Sequence, residues 1–142
     1  MLVKLFPDQI AERWDFIKPA IDGSLPMIAD DESPDRMNNI LESLLLDQTQ
    51  CWISSNKGKV NAVVTTKIAF DDTTKTSSLL LYSVYSFGET VRKDWIEAFG
   101  TLSKFAESKE CSRLIAYTDN EDLIRLSERL GGQSTTFLCI AL

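Results

Sequence analysis

Apolar residues recur at two different periods along this chain, and the changes of period divide it into elements. From Leu2 to Phe6 they alternate, the mark of a short strand. Pro7 stands where a first helical residue suits it, with Asp8 and Glu12 near the positive end of the helix dipole. Ile10, Trp14, Ile17 and Ile21 then fall at helical spacing, and Pro19 predicts a bend or stop nearby. The stretch from Gly23 to Pro34 is rich in Asp, Ser and Pro and reads as a loop. Ser33-Pro34-Asp35 reads as the cap and first turn of a second helix, whose inward face is Met37, Ile40, Leu41, Leu44 and Leu45.

From Cys51 the period turns strand-like. Cys51–Ser54 and Val60–Phe70 flank Asn56-Lys57-Gly58-Lys59, which predicts a hairpin with a glycine turn. Asp71–Lys75 is a second turn. Ser77–Phe87 is a third strand, apolar enough to be covered on both faces. Val91, Trp95, Ala98, Phe99, Leu102, Phe105 and Ala106 form the stripe of a third helix. Arg113–Thr118 reads as a buried strand. Asn120 caps a fourth helix, with Leu123, Leu126 and Leu130 inward, and Gly131-Gly132 stops it. Thr135–Leu142 is the last predicted strand. The order β-α-α-β-β-β-α-β-α-β, without repeats or a linker, predicts one α/β domain over residues 1–142, its antiparallel hairpins followed by a βαβ crossover. The long strands Val60–Phe70 and Ser77–Phe87 offer edges to which another chain could add.

Composition narrows the chemistry. Hydrophobic content of 44% and charged content of 25% are globular values. A net charge of −6 argues against nucleic acid, whose binding rests on Lys and Arg neutralising phosphates. Trp14, Trp52 and Trp95 are accordingly read as core anchors and not as a base-stacking surface. No apolar run approaches a membrane span, and the N-terminal apolar stretch is too short for a signal peptide. The expectation is a cytoplasmic protein with no membrane partner. Cys51, Cys111 and Cys139 are odd in number, and the apolar neighbours of Cys51 and Cys139 suggest reduced, buried thiols. Histidine is absent, which removes Ser-His-Asp hydrolysis, Cys-His nucleophiles and nearly all zinc catalysis. No metal site is expected; Asp30-Asp31-Glu32 reads as a solvated loop because no further ligands follow at calcium-loop spacing.

The element order, with Leu114-Ile-Ala-Tyr-Thr-Asp-Asn120 followed by Leu126-Ser-Glu-Arg-Leu-Gly-Gly132, resembles the GCN5-related N-acetyltransferase (GNAT) superfamily across essentially the whole chain. The resemblance implies a central mixed, mostly antiparallel sheet of about six strands flanked by four helices. It implies that the fourth strand splays from the fifth and admits the pantetheine arm of acetyl-CoA. It also implies a loop of the form Q/R-x-x-G-x-G/A whose amides hold the pyrophosphate at a helix N-terminus, where free N–H groups and the dipole attract an anion. The corresponding stretch runs from Val84 to Asp94. On this resemblance Val84, Tyr85, Ser86, Gly88, Glu89, Thr90 and Asn120 would hold acetyl-CoA.

Two departures weigh against activity. The loop has one glycine, Gly88, where the family has two, and Glu89 stands where phosphate should approach. Ser127 replaces the tyrosine that many members use to protonate the leaving thiolate, and a serine hydroxyl is a poor acid. Tyr85 and Ser127 are the weak catalytic candidates; Tyr82 and Tyr117 are further tyrosines in the two strands. Asp71, Asp72 and Glu89 are candidate bases by position, though turn and cap roles explain each. Size and these losses resemble small GNAT-type proteins of tailed bacteriophages. The expectation is therefore a degenerate GNAT protein acting as a virion component or accessory factor through a protein partner, in host cytoplasm or virion. An acetyl-CoA-dependent N-acetyltransferase with a divergent loop is the alternative.

Overall fold

The computed structural model describes residues 1–29, 33–88 and 92–142. The acidic run Asp30-Asp31-Glu32, and Glu89, Thr90 and Val91, lie outside the described residues. The chain order is β1 (Leu2–Lys4), α1 (Pro7–Glu12), α2 (Trp14–Asp22), a 3-10 turn (Met27–Ala29) and α3 (Arg36–Leu45). There follow β2 (Thr49–Asn56), β3 (Lys59–Asp71), β4 (Thr76–Ser86), α4 (Arg92–Ser108), β5 (Arg113–Ala116) and α5 (Glu121–Arg129). The strands form one mixed sheet in chain order, β1-β2-β3-β4-β5. The first three pairings are antiparallel and β4 with β5 is parallel.

Alternation along β2 and β3 sends side chains into two separate cores. On one face Cys51, Ile53 and Val63 pack with Leu5, Ile10, Ile17, Ile21 and Leu44. On the other Trp52, Val64 and Leu79 pack with Leu2, Leu102 and Ala106 of α4. Helices α1 to α3 therefore cover one face and α4 the other. Trp52 is an anchor as expected: it is buried, meets Phe105 edge-on at 5.1 Å between centroids, and donates from Nε1 to Thr66 Oγ1 at 2.9 Å. Thr66 in turn donates to Gln50 Oε1 at 2.9 Å, so this buried polar chain is satisfied.

The turns follow local chemistry. Asn56 pairs with Lys59, and Lys57 and Gly58 between them both have positive φ, 52° and 78°, the signature of a type I′ hairpin. Asn120 Oδ1 accepts from Leu123 N at 3.1 Å and caps α5. At the other end Gly131, at φ 90°, donates to the Glu128 carbonyl and Gly132 to that of Ser127, a Schellman stop.

Several expectations are corrected. The first helix breaks at Arg13 and not near Pro19, which sits inside α2. Restarting at Trp14 puts Pro19 in the second turn, where its missing N–H strands only the Asp15 carbonyl. Among the described residues the four expected flanking helices thereby become five. The cap of α3 is Asp35, while Ser33 supports the preceding turn through its carbonyl, which accepts from Arg36 N at 3.2 Å. Leu45, Phe99 and Leu130, expected inside, are exposed at the margins of their stripes. Helix α5 keeps Leu126 as its one buried residue. Strand β5 is short, and most of it is exposed because it lies at the sheet's end. Thr135–Leu142 joins no strand, so among the described residues the sheet has five strands where about six were expected, and Cys139 within that segment is exposed.

Candidate functional site

The sheet opens between β4 and β5. Their parallel register runs only from Ser78 opposite Arg113 to Leu81 opposite Ala116. A last, long bond from Tyr117 N to the Leu81 carbonyl, 3.4 Å, ends the contact. Strand β4 continues to Ser86 against β3 alone. At the fork the β3–β4 register slips: Thr65 faces Ser83 and Thr66 faces Leu81, leaving Tyr82 as the extra residue of a β-bulge. Thr65 and Ser83 share a buried hydroxyl–hydroxyl hydrogen bond just beyond it. A bulge adds local twist, and this one lies where β5 stops.

Beyond the fork, β4 presents backbone. Phe87 N donates to the Asn61 carbonyl at 2.9 Å, which fixes the phase of the ladder. By the alternation of an antiparallel strand, the N–H and C=O groups of Val84 and Ser86 point to the opposite side, where β5 has ended. Side chains wall this edge on both faces. Val84 packs into the core under α4, and Tyr85 into the core under α1 to α3. Tyr85 meets Phe87 at 4.9 Å between centroids, and Phe87 stacks on Phe16 of α2 at 5.3 Å. A shallow cavity of about 400 Å³ adjoins that wall, lined by Glu12, Arg13, Asp15, Phe16 and Val60. It lies at the joint of α1 and α2 and not in the fork.

No family sequence model matches the chain, and no curated protein is similar to it. Solved structures match along its whole length. AAC(6')-Iy in complex with the bisubstrate analog CoA-S-monomethyl-acetylneamine superposes with a TM-score of 0.69 at 14% identity, over 100% of this chain and 96% of that one. A ribosomal-protein-alanine N-acetyltransferase from Brucella melitensis biovar Abortus 2308 gives 0.65 at 14%, over 100% and 98%. A GNAT family acetyltransferase from Staphylococcus aureus gives 0.66 at 10%, over 100% and 97%. This chain has the GNAT fold. The resemblance to tailed-phage proteins draws nothing from these structures.

Within the GNAT fold the expected residues scatter more than the sequence suggested. Val84, Tyr85, Ser86 and Gly88 gather along and just beyond the open edge of β4, while Glu89 and Thr90 lie outside the described residues. Gly88 has φ 95° and open space where a Cβ would stand, so the backbone can be approached closely there. Asn120 is exposed and its side-chain oxygen is already used in the cap of α5. Ser127 is exposed, and its carbonyl is the acceptor of the helix stop. Asp71 accepts from Thr73 N at 2.8 Å in the β3–β4 turn, and those backbone bonds hold its carboxyl below the usual range. That turn is at the far end of β4 from Val84, about 27 Å away at ~3.4 Å per residue, so Asp71 and Asp72 are turn residues.

Sequence reasoning missed the bulge, and with it the juxtaposition of Tyr82 and Tyr117 at the fork. Burial first, and the neighbouring Tyr117 second, push the Tyr82 phenol above its ordinary value. The Lys67 ammonium lies 5.9 Å from the centre of the Tyr82 ring. The available signal was length: an eleven-residue strand beside a short one must leave some of its edge uncovered. Among the described residues no cluster of His, Cys, Asp or Glu could hold a metal ion.

Proposed function

We propose that the protein is an acetyl-CoA-dependent N-acetyltransferase that holds the cofactor along the open edge of β4. The supporting observation is the fork itself: the parallel pairing stops at Leu81, and the groups of Val84 and Ser86 are left facing it. The amide-bearing arm of acetyl-CoA is chemically suited to such an edge, because it can exchange hydrogen bonds with a backbone as a strand does. Gly88, unobstructed and at positive φ, suits the close approach of a larger group beyond the arm. When bound, acetyl-CoA supplies a thioester whose acetyl group passes to an amine, releasing the thiol.

The protein's own contribution is mainly positioning. Val84 and Ser86 hold and orient through backbone. Val84 and Tyr85 close the edge against water from opposite faces. With its phenol raised, Tyr82 stays protonated at neutral pH, where it can donate a hydrogen bond at the fork and cannot act as a base. Ser127 lends its backbone carbonyl to the helix stop, and its exposed hydroxyl is a poor acid. The expected role as a virion component has no structural observation in its favour, and the departures at Glu89 and Ser127 are the weaker argument beside an intact fork.

Thermal unfolding with millimolar acetyl-CoA tests this reading, with coenzyme A and ATP as companions. At 100 times the dissociation constant a ligand adds roughly 2.7 kcal/mol, enough to raise the midpoint by several degrees. A rise with acetyl-CoA and coenzyme A but not with ATP is expected. No rise with either would overturn the proposal.

A further inference from the structure

Helix α4 buries one side only. Trp95, Ala98, Leu102, Phe105 and Ala106 turn towards the sheet. At ~100° per residue the opposite side carries Lys93, Ile96, Glu97, Gly100, Lys104 and Glu107. Every side chain there is exposed, Ile96 by 45%.

Two features of that outer side are unexplained within this chain. Gly100 stands near the middle of the helix, where glycine is destabilising, yet a Cβ added to it would meet nothing. The charges also run against the dipole of the helix. Lys93 sits in the first turn and Glu107 in the last, where the dipole favours the opposite signs. Among the described residues Lys93, Lys104 and Glu107 form no ion pair that would offset this. Asp94, the acid of the first turn, lies on the sheet side beside Leu2 and Ala98, and Lys109, past the helix, lies over the Phe105 ring. Neither faces the outer side.

A second copy of the same helix resolves both. We infer that the chain pairs with another copy of itself through the outer side of α4, the two helices antiparallel about a two-fold axis at Gly100. The axis sets Lys93 opposite the partner's Glu107 and Glu97 opposite the partner's Lys104, and symmetry makes each pair twice. Lys93 then also lies over the negative end of the other helix, and Glu107 over its positive end. Glycine at the crossing lets the two backbones approach to about 8 Å, the near end of helix packing distances, and Ile96 is covered beside it. Glu97 gives up only an exposed contact of 3.7 Å with the Met1 ammonium. One pair of helices of 17 residues, about 25 Å long, covers less than the ~1,200 Å² of a standard interface. Association is therefore of the weak class and sensitive to salt. It stands apart from the acetyl-transfer reading, since Val84, Ser86 and Gly88 take no part.

Sedimentation equilibrium of the full chain from micromolar to millimolar concentration tests this pairing. The mass should rise with concentration from 16.0 kDa towards twice that value. Salt at about 1 M, where the screening length is ~3 Å, should shift it back. Lys93→Glu or Glu107→Lys alone sets like charges opposite each other and should weaken association by about tenfold or more. The two together reverse both partners and should restore it. Gly100→Leu should abolish the dimer with all charges in place. Far-UV circular dichroism should be unchanged in each variant, because these residues lie outside both cores. A monomer at every concentration, a dimer indifferent to the single reversals, or a double reversal that stays monomeric would each overturn the inference.

Discussion

The thiol of Cys51 shows how far one residue's chemistry depends on where the strand puts it. It is fully buried in the core beneath α1 to α3, and desolvation pushes its pKa up to about 12 from an ordinary value near 9. In the folded chain the thiol keeps its proton through a range in which the unfolded chain has lost it. The stabilisation is therefore complete below pH 9 and is lost as pH rises from 9 towards 12, at about 1.4 kcal/mol per pH unit. Urea unfolding midpoints should fall across pH 9–11, and Cys51→Ala should flatten that slope; an unchanged slope would show that other groups control it. Cys139, exposed on the tail, should by contrast react with a thiol reagent at neutral pH without unfolding. Apolar neighbours alone did not separate these two cysteines, because both sit in strand-like sequence and only one of those strands found a sheet.

At the scale of elements, what could be read from the sequence was what the chain settles with its near neighbours. The Asn120 cap, the Gly131-Gly132 stop and the Lys57-Gly58 hairpin each involve a few consecutive residues, and each was legible. Pro19 misled because a proline marks a strained place without saying where the chain will yield, and Arg13 yielded first. The bulge at Tyr82 depends on how two strands align, which no local pattern records. The candidate site suffers most from this, since its edge is made of backbone and any side chains could carry it. A backbone site makes its own prediction. Ser86→Pro removes an N–H that faces the fork and spares the β3 ladder, whose next bond comes from Phe87. Acetyl-CoA affinity should fall about tenfold, the worth of one hydrogen bond at ~1.4 kcal/mol, with little change in the unfolding midpoint. An unchanged affinity, measured by calorimetry, would remove Ser86 from the binding edge.

For the whole molecule, the GNAT fold was legible because element order and the two hydrophobic periods fix the layers: helices on both faces of a mixed sheet. The sixth strand was not, since strand propensity over Thr135–Leu142 names no partner. Each of the first four strands pairs with the next, and β2, β3 and β4 are joined by tight hairpins. This neighbour-to-neighbour order has a kinetic consequence. The β2–β3–β4 meander closes only short loops, whereas seating β1 on β2 must close the long stretch that contains α1 to α3, and β5 must wait for α4. Folding should therefore begin in the middle of the chain and spread to both ends. Pulse-labelled hydrogen exchange should find the amides of Trp52, Ser54 and residues 60–66, which face within the meander, protected before those of Ser55, Val3 and Leu114; protection of all five strands in a single phase would rule that sequence of events out.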